Sequence, residues 1–448
     1  MNLRGYITPK QDILKSIEEE RWQDLKTLTS EWRAKDLAIL LSTLNVPEAQ
    51  QAYEQLHHKN VFAYLDDRIQ KRIMIKATKE ERTRLFLLLP PDDKTMLLSR
   101  LPQKIANEII ISLPQEEQMQ VQELLEYPEN TVGRLMTHAY VTLDPRWSVE
   151  EALDYIKQTG RKSETINHVY VVNKEGVLLD DLRLRKIFFA NNKQKIKSLM
   201  DNIYVTLSPY DEQTQAVHVM RKYDIHTIPV INEEGKLIGI VTADDVFDVA
   251  EAQATKDIQK IASVIPLKES YKHASIFSLY NRRVWWLSIL VLVGMVSAGV
   301  ISRYEEVLAS AIALSFFIPL LLGSGGNAGS QSATIIVRAI ATGDLQKNEW
   351  LRVFFKEIGT GLLIGTTLGI IAGLIGVFQG GAIIGLIVGL TMIAIILVTN
   401  ILGMTLPFIL SRVKIDPAVA SAPLIASVAD AIGLLIYFSI AIAVLGAL

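Results

Sequence analysis

Apolar residues follow two rhythms along this chain. Up to about residue 284 they come in short runs broken by charge and proline, and from Trp285 onward they come in long, nearly uncharged stretches. A bilayer span needs about 20 mostly apolar residues. Five stretches fit: Trp285 to Ile301, opened by the Trp285-Trp286 pair, then Leu308 to Ala341, Phe354 to Val377, Ala382 to Leu410 and Ala418 to Leu448. They predict a five-helix α-helical transmembrane domain over 282–448. Gly361, Gly365, Gly369 and Gly373 recur every four residues, as do Gly381, Gly385 and Gly389, which predicts smooth faces for close helix packing. The second span differs. FFIPLLLGSGGNAGSQSATIIVRAIATGDL puts Pro319, several glycines, Asn327, Ser330 and Gln331 at membrane depth. Such a segment predicts a helix broken along a wet pathway, with a kinked packing helix as the alternative.

The first 130 residues show short amphipathic runs restarted at Pro90-Pro91, Pro102 and Pro114. Proline suits the first turn of a helix, so an all-α superhelical N-domain is predicted over 1–130, a module for interaction or sensing. A repeat follows. Leu135-Met136 through VTLDP (Val141 to Pro145) returns as Leu199-Met200 through VTLSP (Val205 to Pro209), 64 residues later. Each copy continues into an amphipathic helix and a strand–turn–strand, so two α/β copies are predicted at 131–196 and 197–255. A connecting helix containing DIQKIASV is expected over 256–281.

Formal net charge is −2, which gives no global basic field for nucleic acid. Only seven of the 46 Lys+Arg and seven of the 48 Asp+Glu lie after Val284. The absence of cysteine removes thiolate ligands and nucleophiles. The N-terminal sequence has no apolar run of the signal-peptide kind, so the charged region is expected to stay cytoplasmic. Arg282, Arg283, Arg338, Lys347, Arg352, Lys356, Arg412 and Lys414 then fall on that same side. The expectation is a multi-pass protein of the cell (inner) membrane, embedded in the lipid bilayer, with its N-terminus cytoplasmic and C-terminus extracytoplasmic.

The fifth span carries one ionisable group near its centre, Asp430, which is costly in lipid. Helical spacing puts Pro423, Ala426, Ser427, Gly433 and Tyr437 on its face. A cation site, a proton relay and a neutral structural carboxyl all fit. All seven histidines precede the first span, which disfavours selective transition-metal transport. Hard oxygen ligands suit magnesium or calcium. The chain has no His-Glu-x-x-His motif and no Gly-x-x-x-x-Gly-Lys-Ser/Thr loop, which argues against a zinc protease or an ATP-driven pump. A proton-coupled divalent carrier, with cobalt or manganese as secondary ions, is the remaining alternative. Asp244, Asp245, Asp248, Glu251 and Asp257 cluster at the start of the connecting segment, as low-affinity divalent sites or as a solvated acidic face.

The repeated LM–strand–P–helix–strand–turn–strand pattern resembles CBS domains. In nucleotide-binding CBS domains a Gly-x-x-Thr-x-x-Asp stretch lies near the ribose. The second copy keeps it as Gly239, Thr242 and Asp245; the first departs with Asp180, Arg183 and Lys186. ATP at the pair, through Thr242 and Asp245, is therefore an expectation for the second copy alone, with structural pairing without a nucleotide as the alternative. In order, YPENTVGRLM, the tandem repeat, DIQKIASV, PLLLGSGGNAGSQSATIIVRAIATGDL and DPAVASAPLIASVADAIGLLIYF resemble the MgtE family of magnesium channels and transporters across nearly the whole chain. The resemblance implies a homodimer and no enzymatic activity. It implies magnesium influx on the two-fold axis, with Asp430 as selectivity site and Gly325, Gly326, Asn327, Ala426 and Gly433 lining the pore through backbone or polar groups. It also implies closure by intracellular magnesium, held by Asp92, Asp93, Glu212, Asp224, Asp244, Asp245, Asp248, Glu251 and Asp257, with the connecting helix as plug. Ala422, where the family often has Asn, and Gln253 and Lys256 at the plug start depart from the pattern.

Overall fold

The computed structural model describes residues 10–30, 32–56, 59–267, 271, 274–345 and 348–446, without the side chains of Lys10, Lys59, Asp92 and Ser310. The chain divides into two compact units, Met1–Ala250 and Glu251–Leu448.

The first unit opens with helices α1 (Lys10–Glu18), α2 (Trp22–Leu28), α3 (Ala34–Leu41), α4 (Val46–Leu56), α5 (Asp67–Lys76), α6 (Lys79–Leu87), α7 (Pro91–Arg100), α8 (Gln103–Ser112) and α9 (Gln115–Glu126). Local chemistry sets the starts. Asp66 caps α5, Thr78 and Glu81 form a reciprocal capping box on α6, and Pro90, Pro102 and Pro114 stand immediately before α7, α8 and α9. One apolar core, including Leu37, Leu41, Phe62, Met74 and Phe86, runs along the stack.

The repeat folds twice in the same way. In the first copy β1 (Thr142–Leu143) runs parallel to β2 (His168–Val172), which pairs antiparallel with β3 (Leu178–Arg183). The helix α10 (Val149–Thr159) starts at a Ser148–Glu151 capping box, and α11 (Leu184–Phe188) follows β3. In the second copy α12 (Gln213–Tyr223) precedes the antiparallel pair β4 (Thr227–Ile231) and β5 (Leu237–Thr242), and a parallel bridge from Leu207 to Val230 stands where β1 would. The copies are stitched together by Thr137 with Ile240 and by Val177 with Lys236.

Next comes α13 (Ala243–Ile261), which ends well short of the expected 256–281 helix. Ser263 takes a left-handed φ of 60°, and Pro266 disfavours helical backbone before it. Residues 276–281 already belong to α14 (Ile276–Arg303), while 268–270 and 272–273 lie outside the described residues. Then follow α15 (Glu305–Ser310), α16 (Ala313–Ala341), α17 (Trp350–Arg412) and α18 (Ala422–Leu445). The last two residues of the expected fifth span, 447–448, also lie outside the described residues.

Among the described residues, α14, α17 and α18 are long and apolar enough to cross a membrane. The 63-residue α17 is two arms, 350–380 and 382–412, joined at Gly381. Its φ of 86° and ψ of 175° suit glycine alone, so Gly381 is the corner of a tight hairpin rather than a packing position. The arms meet glycine on glycine. A Cβ on Gly369 would lie 2.8 Å from the Gly389 carbonyl oxygen, and one on Gly376 would lie 2.8 Å from the Gly385 Cα. The α16 helix has the length of a span at 29 residues, but its Gly-Ser-Asn-Gln run dilutes its apolar character. It is continuous through that run, where a break is expected from sequence.

Overpacking the hairpin should be costly. Gly369→Leu should lose about 1–3 kcal/mol and lower the melting temperature of detergent-solubilised protein, whereas Gly359→Leu, with open space at its Cβ, should melt like the parent.

Candidate ion pathway and regulatory cleft

The glycines of α16 let it sit against its neighbours. A Cβ on Gly326 would lie 3.3 Å from that of Ala426, and one on Gly433 would lie 3.2 Å from Leu322. The Ser330 hydroxyl donates to the Ala422 carbonyl at 3.1 Å. These pairs run in opposite directions, so α16 and α18 are antiparallel. Gly325 meets Ile395, and a Cβ on Gly329 would lie 3.0 Å from the Thr399 carbonyl oxygen, both on the second arm of α17. Gly325, Gly326 and Gly433 are thus buried packing positions in a regular helix pair, not exposed backbone.

The opposite face of α16 is open. Gly323, Asn327, Gln331, Thr334 and Arg338 are all exposed and recur at helical spacing. Beside them, on α18, Asp430 is half-buried, one turn beyond the partly open Ala426. Among the described residues it has no ion-pair partner. Two positions expected on its face turn inward instead. Gly433 packs as above, and the buried Tyr437 donates its hydroxyl to the Leu314 carbonyl at 2.8 Å. Pro423, Ala426 and Ser427 stay partly open with Asp430. A carboxylate and an amide in the hydrocarbon region cost several kcal/mol if lipid covers them. This face therefore calls for water or a second polar protein surface.

Sequence reasoning missed a second membrane carboxylate. Glu357, on the first arm of α17, accepts the Ser332 hydroxyl at 3.0 Å, and that hydroxyl also lies 3.1 Å from the Asn400 carbonyl on the second arm. The group ties three helices together. Its signal was present as a charge inside the third predicted span, Phe354 to Val377.

Asp224, Asp244, Asp248, Glu212 and Glu251 are exposed and Asp93 is half-buried; the Asp92 side chain lies outside the described residues. Among the described residues no group of three or more acidic or imidazole side chains could hold a metal ion. Asp245 accepts the Thr242 hydroxyl at 2.7 Å. Asp257 accepts from Gln253 at 2.8 Å, and burial, then the charge of Asp416, pushes its carboxyl above the usual range.

Between the two CBS-like copies lies a cleft of about 890 Å³, with His168, Arg183, Arg185, His226, Phe189 and Thr242 in its lining. In the first copy Asp180, fully buried, accepts backbone N–H groups of Asp181, Asp201 and Asn202 at 2.9, 2.8 and 3.2 Å, and Lys186 pairs with Asp201 at 3.5 Å. Asp180 and Lys186 are thus committed to local structure and are not in the lining of this cleft.

These features define a polytopic helical membrane protein with a tandem α/β module and a polar intramembrane face. The family model described as "Divalent cation transporter" (MgtE) matches residues 318–440, that of the MgtE intracellular N domain matches 32–130, and that of the CBS domain matches 132–190 and 196–252. The magnesium transporter MgtE of Thermus thermophilus is 41% identical over 324 residues, 72% of each chain. That of Bacillus subtilis is 29% identical over 434 residues, 97% of this chain and 94% of the other. A crystal structure of the cytosolic domain of the Mg2+ channel MgtE in complex with ATP covers 54% of this chain and 100% of its own, at 25% identity and a TM-score of 0.44. The chain belongs to the MgtE family, whose members are transporters rather than enzymes.

Proposed function

We propose that this protein is a magnesium channel of the cell membrane, a homodimer that admits Mg2+ along its two-fold axis and is closed by intracellular Mg2+. The observation that carries the reading is that the packed pair α16 and α18 leaves polar groups open, exposed Asn327 on one helix and half-buried Asp430 on the other. A second copy facing the first would shield both from lipid and bring two carboxylates to one axis. Magnesium sheds its waters reluctantly, so two carboxylates with amide and small neighbours suit an ion that keeps its hydration shell. Ala426 leaves room for those waters, while Gly325, Gly326 and Gly433 act by letting the helices close. The identity with the magnesium transporter of Thermus thermophilus supports magnesium as the ion.

The orientation has the N-terminus in the cytoplasm and the C-terminus outside, supported by the positive residues around the 342–352 and 412–414 turns. The regulatory ions are assigned to Asp93, Glu212, Asp224, Asp244, Asp245, Asp248, Glu251 and Asp257, with Asp92. Scattered single carboxylates bind divalent cations weakly, which fits a gauge of millimolar intracellular magnesium. The cleft takes ATP in this reading. Arg183 and Arg185 supply charge for phosphates, and the Thr242–Asp245 pair supplies hydroxyl and carboxylate for the ribose.

Asp430→Ala should abolish Mg2+ uptake into proteoliposomes while the protein elutes as an unaltered dimer; uptake with unchanged magnesium selectivity would sink the site. Millimolar Mg2+ should protect residues 245–270 from proteolysis, and equal digestion without it would remove the sensor reading. Arg183→Ala should weaken ATP binding about tenfold by calorimetry, the scale of one lost charge-assisted bond.

A further inference from the structure

The segment after the connecting helix is bound at several points to the entry of the Asp430 helix. Lys260, the penultimate residue of α13, forms an ion pair with Asp416. Asp416 caps the short turn ahead of α18, accepting the Ala418 N–H at 2.9 Å. The Ser263 hydroxyl donates to that of Ser421 at 2.6 Å, and Ser421 is the N-cap residue of α18. The chain then turns at Ser263 and folds back. The Leu267 N–H donates to the Gln259 side-chain carbonyl at 2.8 Å, and Arg282 of α14 donates to the Pro266 carbonyl. Two carboxylates thus share this joint, since Asp257 stands one turn before Lys260 and feels Asp416, with the charges of Lys260 and Arg338 opposing it.

Two half-buried carboxylates so placed repel unless a cation lies between them. The chain supplies one itself, the ammonium of Lys260. We propose that the Lys260 ammonium is a resident counter-cation that latches the connecting helix to the lead-in of α18, so that this joint is held without a bound divalent ion. A tethered ammonium has an effective concentration that dissolved magnesium does not change. The joint therefore contributes a constant bias toward the latched state, and magnesium dependence is left to the other acidic residues. The mechanical consequence is direct. Both residues that Lys260 and Ser263 grip cap the chain entering α18, so displacement of α13 is passed to the helix that carries Asp430.

The test uses the full-length protein, whose lack of cysteine gives a clean background. Ser263→Cys with Ser421→Cys is oxidised by copper phenanthroline without Mg2+ and at about 10 mM Mg2+, roughly tenfold above the weak end of carboxylate sites, with Lys260 intact, with Lys260→Glu, and with Lys260→Glu plus Asp416→Lys. Crosslinking should already be fast without magnesium when Lys260 is intact. Lys260→Glu should slow it about tenfold without magnesium, with recovery on its addition, and the charge swap should restore the speed without magnesium. Equal rates in all three without magnesium, or slow crosslinking without magnesium with Lys260 intact, overturns the latch. A proteoliposome arm rests on the channel reading: Lys260→Met should raise Mg2+ influx severalfold at low internal magnesium, and an unchanged or lower influx counts against the latch. If the parent shows no influx, the channel reading fails while the crosslinking result still decides the latch. Size-exclusion elution matching the parent qualifies each variant.

Discussion

The constraint on which the membrane half depends is that lipid cannot solvate the open face of α16 and α18. Asp430 alone would cost about 2.5–3.5 kcal/mol at the bilayer centre on the lenient scale, and Asn327 and Gln331 add to it. A fold retains that cost only where water or protein covers the groups. The bundle is organised to present the face rather than hide it. Tyr437, Gly433, Gly325 and Gly326 turn inward, and what stays open is a carboxylate, an amide and small side chains.

Small residues make that presentation precise. The two arms of α17 approach until a Cβ on Gly373 would lie 3.1 Å from the Gly385 carbonyl. The second arm can then serve as a central post against α16. Ser332 adds a polar pin to Glu357 and the Asn400 carbonyl. Van der Waals contact of this kind is the main source of helix association where the hydrophobic effect gives little. Rigidity matters because a rotation of α16 by one residue would turn Asn327 from the open face, and in one sense would drive Asn327 itself against Ala426 in place of Gly326.

Much of this was legible in sequence, for identifiable reasons. Period-four glycines, prolines at helix starts and the 64-residue repeat are local signals, and the hairpin, the N-domain helices and the twin sheets carry them out. The misread elements are those where local chemistry competes. Glycines in α16 looked like helix breakers, yet packing on both sides holds the helix through them. The connecting helix looked continuous to Tyr280, but Ser263 and Pro266 stop it. Asp430's neighbours were placed on one face by spacing, although an α-helix face is wide enough to divide between core and opening. The pairings of Lys260 with Asp416 and of Glu357 with Ser332 join residues far apart in sequence, so no periodicity announces them.

The acidic residues proposed as the magnesium gauge have a thermodynamic consequence in that reading. One site at a magnesium concentration equal to its dissociation constant shifts a two-state equilibrium by only about 0.4 kcal/mol, so a single weak carboxylate cannot close a gate. Several such sites, each favouring one state, add to the few kcal/mol that a switch requires. Because every site favours the same state, filling one makes the next easier to fill, and the response steepens with the number of sites, whereas one tight site would respond with unit slope and saturate at low magnesium. A fixed ammonium at the Asp257–Asp416 joint adds no slope to that response. It moves the midpoint, because part of the closing free energy is already present before any magnesium binds.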